Sequence, residues 1–315
     1  WPEQGREGQA GPYELTLSEA ALPEAVDDDA SHPDAPWRLE ERVTGRLAQP
    51  NDTRSYRVRI EEGHNTLVVR LRETLRGRIQ ASLVAPDGVE LPLDWQREPE
   101  GWRRGEAVGI PPGEYRLDIS EPARAIALLW DASGSLEALQ APILQAINRF
   151  AEGLDPSQEV ANLMPLGGPM LLDEWSGEPR ILRHTLAAYD GRFESSDSEP
   201  ALQGATRALE ALDRERIIFL ITDAEQMGRA IGVWDDLERV QPRIFTLEIS
   251  HGQQRLASET RWYQNQMRSW ANVGGGRYAY TLDRRDLVRA FEAGMQEVRQ
   301  PTTFALEVTS RYQAP

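Results

Sequence analysis

The 315-residue chain has no cysteine, which excludes a disulfide framework and any thiolate metal site. It has no lysine either. All 35 basic residues are arginines, set against 51 acidic residues for a net charge of −16. No basic stripe stands out in that field, which argues against nucleic-acid binding. The surplus carboxylates favour solubility and attract cations. His32, His64, His184 and His251 are scattered, with no metal-ligand spacing; of these, His251 follows a strand end. No apolar window approaches the length of a membrane span. The chain opens at Trp1 and closes at Pro315, and reads as a piece of a longer protein. The side-chain chemistry left for a site is mainly carboxylate, hydroxyl and guanidinium.

The most informative stretch is 125–135, A-I-A-L-L-W-D-A-S-G-S. Six apolar residues in a row suit a strand buried on both faces, as in a parallel sheet. Asp131, Ser133 and Ser135 follow at once and place three oxygens on a short loop. Leu136, Leu139, Ile143, Ile147 and Phe150 then mark one stripe of a helix. The oxygens therefore sit where a buried strand turns into a helix, the edge at which open α/β sheets bind ligands. Hard cations such as magnesium and calcium take oxygen ligands of this kind.

Taken in order, residues 1–36 comprise a short alternating strand at 11–18 and an acidic linker. The linker, 19–36, holds six acidic residues including Asp27-Asp28-Asp29. The strand, G-P-Y-E-L-T-L-S, is echoed at 113–120 by G-E-Y-R-L-D-I-S, so it either ends a preceding module or pairs with the unit that follows. Residues 37–122 carry short alternating strands at 55–60, 66–71, 79–84, 89–93 and 115–119. Pro, Asn, Asp and Gly turns separate them, which predicts an antiparallel β-sandwich. Residues 123–300 alternate strands (125–130, 160–166, 170–174, 217–222, 244–249, 277–281) with helices, which predicts a doubly wound α/β domain. Residues 301–315 supply a C-terminal strand and tail, with 304–308 able to lead into a further domain. Gly274-Gly275-Gly276 lacks the Lys and Ser/Thr of a phosphate loop and reads as a helix end.

Three motifs in 123–300 resemble von Willebrand factor type A (VWA) domains with a metal-ion-dependent adhesion site. The spacing D-x-S-x-S at 131–135 is the first. Ser196 to Leu202, S-D-S-E-P-A-L, resembles the family's T-D-x-x-x-A-L, with Ser196 in the Thr position and Ser195 where Gly is usual. L-I-T-D-A-E resembles L-x-T-D-G and contributes Asp223, with Ala224 in place of Gly. The run A-N-V-G-G-G-R-Y-A-Y at 271–280 resembles the family's penultimate strand. Read singly, Ser196 with Glu199 also fits a helix capping box, and Asp223 a bare helix cap. The β-rich stretch is similar in pattern to the bacterial pre-peptidase C-terminal (PPC) family, through N-D-T-R-S-Y-R-V-R-I, L-V-A-P-D-G-V-E-L and P-P-G-E-Y-R-L-D-I.

The first resemblance implies a metal set of Asp131, Ser133, Ser135, Ser196 and Asp223, holding magnesium, with calcium or manganese as substitutes. In that family the ion leaves one position for an acidic side chain of a protein partner. The implied function is metal-dependent protein binding by an extracytoplasmic or surface protein of bacterial type, without catalysis, neighbouring domains of the same chain being further partners. Two alternatives stand beside it: a structural spacer whose site holds no ion, and a metal-assisted hydrolase. No G-x-S-x-G elbow supports a serine hydrolase.

Overall fold

The computed structural model describes residues 26–27, 42–73, 79–189, 197–223, 232–249, 257–281 and 284–312. Of the segment 1–36, only the two-residue strand β1 (Val26–Asp27) is described, and the expected strand at 11–18 lies outside. The following strands are β2 (Arg42–Leu47), β3 (Thr53–Ile60), β4 (Thr66–Glu73), β5 (Gln80–Val84), β6 (Glu90–Leu91), β7 (Asp94–Arg97), β8 (Trp102–Val108) and β9 (Gly113–Ser120). They form two sheets. One is ordered β3-β9-β5-β6 and is antiparallel throughout. The other contains β1, β2, β4, β8 and β7 and takes one further strand from the far end of the chain.

Alternation explains the packing. Tyr56, Val58 and Ile60 of β3 and Tyr115, Leu117 and Ile119 of β9 turn inward, while the arginines between them stay in solvent. They meet Leu67, Val69 and Leu71 of β4, so both sheets share a single apolar core. Strands β2 and β8 were not legible as strands. In β8, W-R-R-G-E-A-V, the outward face carries Trp102, Arg104 and Glu106, and the inward face begins with Arg103 and Gly105, so no apolar alternation shows.

After Ser120 the chain crosses at residues 121–123 into a second unit. Its elements are β10 (Arg124–Trp130), α1 (Gln140–Glu152), β11 (Glu159–Pro165), α2 (Pro179–Ala188), α3 (Ser198–Glu210), β12 (Glu215–Thr222), α4 (Val233–Val240), β13 (Arg243–Ile249), α5 (Ala257–Val273), β14 (Arg277–Thr281) and α6 (Arg284–Arg299). The five strands make a wholly parallel sheet ordered β11-β10-β12-β13-β14. Every residue of β10 is buried because helices cover both faces. Ile126, Leu128 and Trp130 pack toward α1, α2 and α6; Ala125, Ala127 and Leu129 pack toward α3, α4 and α5. The small residues of the second set admit α3 close to the sheet.

One sequence expectation changes here, and the C-terminal strand finds its place. Residues 170–174 are not a strand. The Asn162 side chain of β11 takes up both polar groups of Leu172, at 2.9 and 3.2 Å, so the chain lies along that edge as a loop. The C-terminal strand β15 (Thr302–Arg311) belongs to the two-sheet unit. It runs antiparallel between β2 and β4 as an interior strand of the six-stranded sheet, and buries Phe304, Leu306 and Val308 in the shared core. The parallel unit is thus inserted between β9 and β15 of the two-sheet unit.

Both crossings meet at one buried ionic joint. Arg124, 2% exposed, reaches Glu121 at 2.7 Å and Glu159 and Glu215 at 3.4 Å. Arg243 reaches Glu215 at 2.9 Å, and Arg299, which ends α6, reaches Glu159 at 2.7 Å. Backbone bonds reinforce it: Asn51 N–H donates to the Glu121 carbonyl, and Glu215 N–H donates to the Ala123 carbonyl. Gly274 and Gly276 serve close approach. A β-carbon at either would stand 2.0 or 2.2 Å from a carbonyl oxygen, of Pro242 or of Ile244.

Candidate metal centre

The parallel register sets the site. Trp130 pairs with Ile221, so Asp131 and Thr222 leave the carboxyl edge of the sheet level with each other, with Asp223 one residue on. The Asp131 N–H donates to the Ile221 carbonyl at 2.8 Å, and Gln140 Nε2 donates to the Asp131 carbonyl at 2.8 Å. The loop is thereby fixed at both ends before any side-chain oxygen is considered.

Asp131 is fully buried and Asp223 is 1% exposed. Ser133 N–H donates to Asp131 Oδ1 at 2.8 Å, and Thr222 Oγ1 donates to Asp131 Oδ2 at 3.1 Å. Ser133 Oγ and Ser135 Oγ lie 2.8 Å apart. A 3-10 turn, Gly134–Leu139, opens directly after Ser133 and keeps both hydroxyls on the same short loop. Burial pushes the Asp131 carboxyl up to about 6; hydrogen bonds from Ser133 and Thr222 oppose the shift, and the neighbouring Asp223 carboxylate adds to it. Among the described residues, no arginine acts on Asp131. At the joint, by contrast, buried carboxylates face guanidinium groups.

The structure therefore brings Asp131, Ser133, Ser135 and Asp223 to one edge. Ser196 lies outside the described residues, as do Ser195, Ala224 and His251. Asp197, beside Ser196, caps α3 by accepting from Glu199 N–H at 3.1 Å, so the cap is one residue later than the box read from Ser196. Among the described residues no cluster of three or more His, Asp or Glu side chains could hold an ion. The set here is two carboxylates and two hydroxyls, all hard oxygen donors, which fits magnesium or calcium and suits softer metals poorly. Thr222 and Gln140 were missed by sequence reasoning. Thr222 was detectable as a lone hydroxyl ending an apolar strand just before Asp223; Gln140 carries no such mark. Trp130 supports the loop from the core, edge-on to Tyr189 with ring centroids 5.3 Å apart.

No protein-family description matches the sequence, and no curated protein matches it. Solved structures similar to the chain include an aerotolerance-related membrane protein from Bacteroides fragilis, at 14% identity and TM-score 0.42, covering 56% of this chain and 100% of that one. The vWF domain of a type V pili tip protein from Porphyromonas gingivalis is similar at 10% identity and TM-score 0.42, covering 56% and 95%. Proximal thread matrix protein 1 from the mussel byssus is similar at 15% identity and TM-score 0.43, covering 60% of this chain and 48% of that chain. No helix among the described residues is long and apolar enough to cross a membrane.

Proposed function

We propose that the inserted unit is a VWA-type domain that binds a partner protein through a divalent cation held by Asp131, Ser133, Ser135 and Asp223, with Ser196 completing the set. One observation carries the reading. Two buried carboxylates, Asp131 and Asp223, share a sheet edge with two hydroxyls, and no arginine among the described residues acts on Asp131. A divalent ion would supply positive charge to these oxygens and, as a Lewis acid, attract a partner's carboxylate. Magnesium is the ion of choice, with calcium or manganese in its place. Asp131 orients the loop through the hydrogen bonds that its two oxygens accept from Ser133 and Thr222. The reading is one of binding, without catalysis. The two-sheet unit, similar in pattern to PPC domains, would carry the binding unit outside the cytoplasm.

Isothermal calorimetry tests the ion: one magnesium per chain is expected, in the roughly micromolar to millimolar range of open oxygen sites. Asp131→Ala should abolish binding with the far-UV spectrum kept. A pull-down from bacterial envelope extract, with magnesium or chelator, then tests the partner, with Ser133→Ala as control. Wild type that takes up no ion would make the unit a spacer.

A further inference from the structure

A second candidate site lies in the two-sheet unit. The β8–β9 connection, the β5–β6 turn and the β6–β7 crossing enclose a groove of about 990 Å³. Val89, Leu91, Leu93, Val108, Ile110 and Tyr115 supply its apolar wall. Val89 and Val108 are each 55% exposed, two of the few large apolar side chains left in solvent among the described residues. The size is that of a ligand pocket, and exposed apolar surface concentrated in one concavity marks an interaction site.

Charge narrows the occupant. The ionisable acids lining the groove are Asp87, Asp94 and Glu106, and no arginine among the described residues lines it. Glu106 is already paired with Arg104 and with Arg311. Asp87 and Asp94 remain at the rim. Asp87 caps its turn by accepting from Val89 N–H at 3.1 Å, and its charge reaches the Tyr115 phenol, whose ionisation it opposes together with burial. Tyr115 is itself fixed, donating to the Pro111 carbonyl at 2.7 Å, so that wall is formed in advance. Pro86, Pro92, Pro111 and Pro112 occupy the turns and offer no N–H to an added strand. Recognition here is by side chains, not by strand addition.

We propose that this groove binds an apolar peptide segment of a partner protein that carries lysine or arginine beside its apolar residues. The site is independent of the cation centre. From Gly113 the chain runs the length of β9, crosses the joint, and runs the length of β10 to reach Asp131, so the groove and the cation edge stand at opposite ends of one path. A protein with both can hold an acidic partner at one end and a basic-apolar one at the other.

Fluorescence anisotropy on the full chain decides it, with a labelled peptide of alternating leucine and lysine as probe. Saturable binding is expected, unaffected by chelator, and absent for leucine–glutamate and serine–lysine peptides. Val89→Glu and Val108→Glu should each weaken it at least about ten-fold, and Asp94→Asn several-fold with a flatter salt dependence. Asp87→Asn, which keeps the turn, should also weaken it. If the valine variants misfold, amide shifts of the wild type on titration should be confined to 85–115. Equal binding of the serine–lysine peptide, unchanged affinity in the variants, or shifts elsewhere overturns the proposal. So does a dimer of the protein alone that Val108→Glu dissolves, which would assign the groove to a second copy.

Discussion

The ring of Phe304 lies over Gly45, its register partner, so closely that a β-carbon on Gly45 would stand 2.3 Å from the ring. The glycine is the seat into which the last strand docks. Gly45→Ala should destabilise the protein by about 1–3 kcal/mol through overpacking. Urea unfolding of Gly45→Ala, Phe304→Leu and the double variant checks this. The double variant should lose less than the sum of the singles, and strict additivity would mean that ring and glycine do not compete for space.

Removal of residues 302–311 should unfold the two-sheet unit, because β2 and β4 pair with β15 and not with each other. The expected outcome is loss of strand signal and strong binding of an apolar dye. A truncated chain that melts like the full one would contradict the pairing.

Arg124→Met should cost about 3–5 kcal/mol, since it leaves Glu121, Glu159 and Glu215 buried without the cation they share. Replacing Arg124 and Glu121 together should cost less. The comparison is made by denaturant midpoints at constant salt.

The Asp131 carboxyl has a folded value of about 6, above its ordinary 3.8. The sign follows. The protonated form favours the fold, so this contribution is complete below about 3.8 and is lost as pH rises through about 6. Without metal, Asp131→Asn should therefore flatten the fall in stability over that window. Protons and a cation compete for the same oxygens, so magnesium should raise the melting temperature near about pH 7.5 and do little near about pH 5. Calorimetric melts at both values test it; an equal effect at both would detach the ion from Asp131.

The parallel unit was legible because its signals are local. An unbroken apolar strand followed by Asp131 needs only a few residues to be read, and Asp223 repeats the pattern. The place of β15 was not legible. Its alternation identifies a strand, but its neighbours begin 255 or more residues earlier in register, as Thr302 with Leu47 shows, and no short window contains both. Strand β8 was hidden for another reason. Its outward face carries Trp102 beneath the guanidinium groups of Arg42 and Arg70, and these apolar-charged stacks do not register as hydrophobic periodicity. Thr222 was passed over as strand because its role depends on Asp131, 91 residues away.

The pairing of β15 also decides where tension would travel. Arg42 begins β2 and Arg311 ends β15, and both lie at the same end of that ladder. A pull between these residues enters the sheet there and loads the rungs singly, from that end inward. Near that mouth Glu307 grips Arg42 with one oxygen, at 2.5 Å, and Arg70 with the other, at 2.6 Å. Until those rungs part, the force passes across the sheet without entering β10 or β12. The unit bearing Asp131 hangs beside the load path as a passenger, its edge geometry insulated from strain that the two-sheet unit sustains.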